Sequence, residues 1–153
     1  MVVGSQAVLG QFPNASANLL GSIEADIFTF RHPKDADLID GFIGEGAKFH
    51  QTFGCYAHGV AGETAIIPVG WKVRLIPVCN ANRGADRGLC PEVHDFAAAK
   101  LAAGREKDCS FVATLLRQKL AQPALSEFRL WESSLSGERL ELALALLKRF
   151  TPG

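Results

Sequence analysis

The sequence predicts an α+β chain: a small mixed β-sheet with flanking helices, followed by a C-terminal helical segment. Three observations lead there. β-Branched and aromatic runs broken by glycines fill the chain up to residue 79, helical spacing of apolar residues dominates after residue 90, and the polar, glycine-bearing stretch Asn80 to Gly88 separates the two. The 153 residues are 48% hydrophobic and 21% charged, the proportions of one globular domain able to build a core without metal or disulfide support. Residues 1–153 are therefore read as a single domain with a sheet-rich half, 1–79, and a helical half, 90–150, packed upon it.

Met1 to Leu9 opens on β-branched residues, meets Gly4-Ser5 and continues with helix-tolerant side chains, which predicts a short strand turning into a helix. Pro13-Asn14 breaks that segment. Leu19 to Phe30 alternates and predicts a strand with Glu24 and Asp26 on one face. After the Arg31-His32-Pro33 turn, Asp35 to Ile43 reads as a helix with Ala36, Leu38 and Ile39 inward. Phe49 to Val60 and Thr64 to Val78 predict two or three short antiparallel strands, of which Val73 to Val78 is the clearest. Asn80 to Gly88 predicts a surface loop, and Pro91-Glu92 the first turn of the next helix. Helices are predicted over Val93 to Ala103, Glu106 to Leu120 and Gly137 to Phe150, where Leu140, Leu144 and Leu147 repeat at helical spacing and form a stripe that a second copy of the chain could cover.

Sixteen basic and sixteen acidic side chains, with a pI near 6.9, give no global field for a polyanion, so histone-like and membrane-surface roles are disfavoured. No stretch approaches the ~20 apolar residues of a membrane span and no secretion signal opens the chain, so a cytoplasmic protein without membrane contact is expected. Cys55, Cys79, Cys90 and Cys109 stand singly, without a C-x-x-C pair, and read as packed, reduced thiols. His50 and His58 lie in a glycine-rich aromatic segment, but no G-x-S-x-G elbow accompanies them to suggest a hydrolase. Trp71 and Trp131 read as core or interface residues, and Arg83 and Arg87 as members of a solvated loop.

Chemistry concentrates in three places. Gly4-Ser5 sits where a strand passes into a helix, a position whose free N–H groups suit a phosphate. Glu24 and Asp26, alternate residues of a strand, project from one face about 7 Å apart at Cα and can share a divalent cation, although a solvated face carries such pairs too. The stretch His94 to Asp108 places Lys100, Gly104, Lys107 and Asp108 on nearby sides of one helix, either a phosphate-facing cluster or a charged outer face.

In this order, Gly4-Ser5, the strand with Glu24-x-Asp26 and the K-L-x-A-x-R-x-K-D element resemble the polymerase-β-type nucleotidyltransferase superfamily. More narrowly, the chain is similar to uncharacterised bacterial nucleotidyltransferase-like proteins related to toxins of abortive-infection toxin-antitoxin systems. Asp37 to Gly46, Phe49 to Gly59, Glu63 to Leu75 and Pro91 to Phe111 share that likeness, which covers Val2 to Leu116. The resemblance implies that Gly4, Ser5 and Lys100 contact a nucleoside triphosphate, that Glu24 and Asp26 hold Mg²⁺ and carry the catalysis, and that Asp108 belongs to the nucleotide-binding helix. It implies transfer of a nucleoside monophosphate to a hydroxyl on RNA, protein or a small molecule. The usual acidic pair is Asp-x-Asp rather than Glu24-x-Asp26, and the third carboxylate expected on a neighbouring strand has only Glu63 as a candidate. A nucleotide-binding or protein-interaction module of the same fold without catalysis, and an oligomeric structural protein, remain the alternatives.

Overall fold

A computed structural model describes residues 1–29, 32–60, 66–78 and 88–151. Glu63, Cys79, Arg83, Arg87 and the predicted loop up to residue 87 lie outside the described residues. The chain is α+β and divides into two compact units, Met1–Thr64 with Ile76–Pro91, and Ala65–Leu75 with Glu92–Gly153.

The first unit carries the strands. β1 (Glu24–Phe28) pairs with β2 (Tyr56–Val60), and β3 (Ile76–Val78) pairs with β4 (Gly88–Cys90). Residues 1–3 run between the two pairs: Phe28 N donates to Met1 O at 2.7 Å, Val3 N to Asp26 O at 2.8 Å, and Val2 N to Leu89 O at 2.8 Å. The entry strand predicted from the sequence is thus a single bridge, Val2 to Ile27, that joins two short ladders. Gly4 then leads into a six-residue 3-10 helix, Ser5–Gly10, which seats Ala7 and Val8 in the core.

The structure corrects the sequence expectation at several elements. The strand within Phe49 to Val60, expected to pair antiparallel with the strands of Thr64 to Val78, is β2 and pairs parallel with β1, because α1 (Ala36–Ile43) and α2 (Lys48–Phe53) lie between β1 and β2 and a helical crossover returns the chain in the same direction. The predicted strand over Leu19 to Phe30 shortens to β1, since Ala17–Leu19 is a 3-10 turn that buries Leu19. Phe49 to Phe53 is helical despite its aromatic content. Gly54, at φ 69°, ends that helix in the left-handed region that glycine adopts without strain, and β2 begins two residues later. Within Val73 to Val78 only Ile76–Val78 is a strand, and Trp71–Arg74 is a 3-10 turn. Leu38 points outward at 55% exposure, because Asp40 and Ala36 take the side of α1 that meets β2.

The second unit is a helical assembly of α3 (Val93–Ala103), α4 (Glu106–Arg117), α5 (Pro123–Trp131) and α6 (Gly137–Phe150), together with the Trp71–Arg74 turn. α5 has no counterpart among the helices expected from sequence. Pro123 supplies a ready-made first turn, and Ser126 and Leu130 bury its inner face. The stripe on α6 is used inside the unit, with Leu147 buried and Leu140 and Leu144 half-buried, while α6 packs on α3, α4 and α5. Trp131 stands exposed. Among the described residues no helix is long and apolar enough to cross a membrane.

Candidate functional site

Glu24 and Asp26 occupy alternate positions of β1 and share one face. On β2 the residues in register with them are Tyr56 and His58, and partners in a parallel pair point the same way. One face of this ladder therefore carries two carboxylates, a phenol and an imidazole. His58 Nδ1 lies 3.2 Å from Asp40 Oδ1, and the same oxygen accepts the Gly59 N–H at 2.8 Å, so α1 closes the outer edge of β2. Gly59 allows this approach, since a Cβ there would stand 2.3 Å from Ala36 O.

The structure brings Gly4 against Asp26. A Cβ on Gly4 would fall 2.8 Å from Asp26 Oδ2 and 3.1 Å from Asp26 N, so a side chain here would push the carboxylate away from the backbone. Ser5 opens the 3-10 helix immediately beyond. That turn is too short to add a helix dipole of consequence, which corrects the expectation of an α-helical phosphate cradle. Ser22 Oγ accepts the Glu24 N–H at 3.1 Å and fixes the entry to β1. Tyr56 has its pKa raised, first by desolvation and then by the charges of Glu24, Glu45 and Asp26.

The opposite face of β1 is apolar. A cavity of about 240 Å³ lies there, lined by Val2, Gln6, Leu9, Ala25, Val78 and Cys90 among others. Cys90 is buried, and that burial pushes its thiol pKa up; the nearby N-terminal ammonium pulls the other way. Cys55, Cys90 and Cys109 are free thiols.

Lys100 and Asp108 belong to the second unit, and they are not on one helix. Gly104, at φ 65°, ends α3, and Arg105 starts the next helix, so the predicted continuous face over Lys100, Gly104, Lys107 and Asp108 is folded into a corner. Inside that corner Asp108, 1% exposed, accepts from Lys100 Nζ at 2.8 Å and Arg105 Nε at 2.6 Å. Lys100 Nζ also lies 5.2 Å from the Phe96 ring centroid and 5.8 Å from that of Phe111. Burial opposes ionisation of Asp108, but the hydrogen bonds and charges of Arg105 and Lys100 outweigh it and hold its pKa below the ordinary value. The charge cluster is thus an α3–α4 latch rather than a solvated face, and Asp108 spends its oxygens within the latch.

Two further polar groups escaped the sequence reading. Asp95, also 1% exposed, receives both Arg74 Nε and Nη2 at 2.8 Å, with Arg129 Nε 3.2 Å away. His94 accepts the Gln122 N–H on Nε2 at 2.9 Å, which leaves Nδ1 as the donor to Glu92 Oε1 at 2.6 Å. Glu92 in turn caps α3 by accepting from the His94 and Asp95 N–H groups. Both are scaffolding arrangements of buried polar groups.

Among the described residues no group of three or more His, Cys, Asp or Glu side chains is arranged to hold a metal ion. The Glu24–Asp26 pair nevertheless suits Mg²⁺, which takes one or two protein carboxylates and completes its octahedron with water and phosphate oxygens. Comparison of the chain with protein-family models, with curated proteins and with solved structures finds no match.

Proposed function

We propose that the first unit binds a nucleoside triphosphate with Mg²⁺ and transfers its nucleoside monophosphate to a hydroxyl acceptor, as an enzyme like the polymerase-β-type nucleotidyltransferases. The observation that carries the reading is the Gly4 backbone lying against the Asp26 carboxylate, with Glu24 on the same face. A glycine at this position lets the backbone lie beside a cation-binding oxygen, which puts the Gly4-Ser5 segment next to an ion that Asp26 would hold. Glu24 and Asp26 would hold the ion, which neutralises phosphate charge and lowers the pKa of the attacking hydroxyl. Gly4 and Ser5 would contribute backbone N–H groups and the Ser5 hydroxyl to the phosphates. RNA, a protein or a small molecule could supply the acceptor hydroxyl.

A second reading, a nucleotide-binding module without turnover, is favoured by what β2 presents. At the register positions facing the two carboxylates stand Tyr56 and His58, where a third carboxylate would complete a two-metal site.

Calorimetric titration with ATP, GTP, CTP and UTP, with and without Mg²⁺, tests both. Metal-dependent binding that disappears in the Glu24→Ala, Asp26→Ala double variant supports the site. Pyrophosphate release then separates transfer from binding alone, and no binding at millimolar nucleotide by the folded protein removes both readings.

A further inference from the structure

Tyr56 is the single tyrosine of the chain, and it stands in register with Glu24. Strands in a pair lie about 4.8 Å apart, so its phenol rises from the same face, one strand away from the two carboxylates. The charges of Glu24, Glu45 and Asp26 all act on it. From the other side the ring is braced by His50, whose centroid lies 4.8 Å away at an interplanar angle of 48°. His50 is itself fixed, because its Nδ1 accepts the Gly46 N–H at 3.0 Å. The Tyr56 side chain is half-buried, held at its ring and open to solvent.

A nucleotide whose phosphates rest on Glu24 and Asp26 would therefore find a protein hydroxyl beside it before any second substrate arrives. Burial and the carboxylates of Glu24, Glu45 and Asp26 raise the phenol's pKa, so the free side chain stays protonated until a cation offsets those charges, and its reach of about six bonds from the backbone exceeds that of the carboxylates around it. Holding a nucleophile next to the reacting centre replaces a bimolecular encounter with a local one.

We infer that Tyr56 is a nucleotide acceptor and that the protein modifies itself there. Tyr56 Oη attacks the α-phosphorus of the bound triphosphate. An Oη–P bond forms, the bond from that phosphorus to the bridging oxygen of the β-phosphate breaks, pyrophosphate departs and the phenolic proton passes to solvent. The inference rests on the nucleotidyl-transfer reading and names a tyrosyl hydroxyl as the acceptor of that site.

The test incubates the full chain with Mg²⁺ and each of the four triphosphates, then reads intact mass, peptide mapping and released pyrophosphate, with calorimetric binding measured in parallel. The expected result is a mass gain of one nucleoside monophosphate, mapped to Tyr56 and matched by one pyrophosphate. Tyr56→Phe, which keeps the ring against His50, should abolish the gain while nucleotide binding and the circular dichroism spectrum stay unchanged. Binding without any gain, or a gain mapped to another residue, overturns the inference and leaves the nucleotide site standing. Absence of binding in the folded protein overturns both.

Discussion

At Gly4 a hydrogen atom separates a working contact from a collision. Alanine there would place its Cβ 2.8 Å from Asp26 Oδ2, which must turn away, and 3.1 Å from Asp26 N, which must give by a few tenths of an ångström. Gly4→Ala should therefore cost about 1–3 kcal/mol, as overpacking does, and also lower metal-dependent nucleotide affinity. Gly10→Ala is the control: its Cβ would meet Cys90 Cβ at 2.7 Å on the other side of the first unit. It should lower the melting temperature comparably and leave affinity alone. Equal losses of affinity in the two variants would count against the Gly4 site. Tyr56 gives a second reading at this scale, because a lone tyrosine makes the tyrosinate absorbance report on one residue. Its pKa is raised in the folded protein, so stability from this group is complete below about pH 10 and falls as pH rises through the folded value. Glu24→Gln should bring the phenol's titration to lower pH, and a midpoint that stays put would show that the two side chains do not share a face.

At the scale of elements, the α3–α4 corner depends on one buried carboxylate. Asp108→Ala leaves Lys100 facing Phe96 and Phe111 without its counter-charge, and removal of one partner of a buried pair typically costs about 3–5 kcal/mol. Because the folded pKa of Asp108 is depressed, its contribution is present above the ordinary value of 3.8 and is lost as pH falls through the folded one. Helical ellipticity followed by urea denaturation at pH 5 and at about pH 3 should therefore show a smaller change in the variant than in the parent chain; an unchanged difference would remove Asp108 from the acid response. The same corner shows what was legible in the sequence. The bounds of α3 and α6 could be read because their helix signals were strong: Pro91-Glu92 at the start of one, where Glu92 proves to be the cap rather than part of the first turn, and leucines at regular spacing in the other. The geometry of Glu24 and Asp26 was equally legible, since a period of two needs only a strand. Burial of Asp108 was not, because a latch and a solvated charge run have the same composition until Gly104 folds one helix onto the next. Tyr56 and His58 carry the alternation that would have shown them, but the aromatic run from Phe49 hid where α2 ended and β2 began.

Over the whole molecule, the decisive feature is that neither compact unit is a continuous stretch of sequence. The chain leaves the first unit after Thr64, contributes Ala65–Leu75 to the second, returns for Ile76–Pro91, and then builds the helices. Such a division is invisible to a reading that places one boundary in a polar loop, because composition changes along the chain whereas contacts are made across it. The second unit's hold on its inserted segment is concentrated in Arg74, which reaches Asp95 across 21 residues with two hydrogen bonds and gives a third to Val69 O at 2.8 Å. The segment is tied at a second point by Val69 N, which donates to Glu132 O at 2.9 Å. Bidentate guanidinium geometry cannot be reproduced by an ammonium, so Arg74→Lys should weaken the unit nearly as much as Arg74→Ala. Each should cost about 2–4 kcal/mol, since Arg129 still faces the carboxylate. A double-mutant cycle of Arg74→Ala with Asp95→Ala, read by chemical denaturation, should give a coupling of about 1–3 kcal/mol, with hydrogen exchange accelerated over residues 66–75 in both single variants. A coupling near zero, or exchange that speeds up elsewhere first, would mean that the backbone ties of Val69 rather than the Arg74–Asp95 pair fasten this segment to the helices.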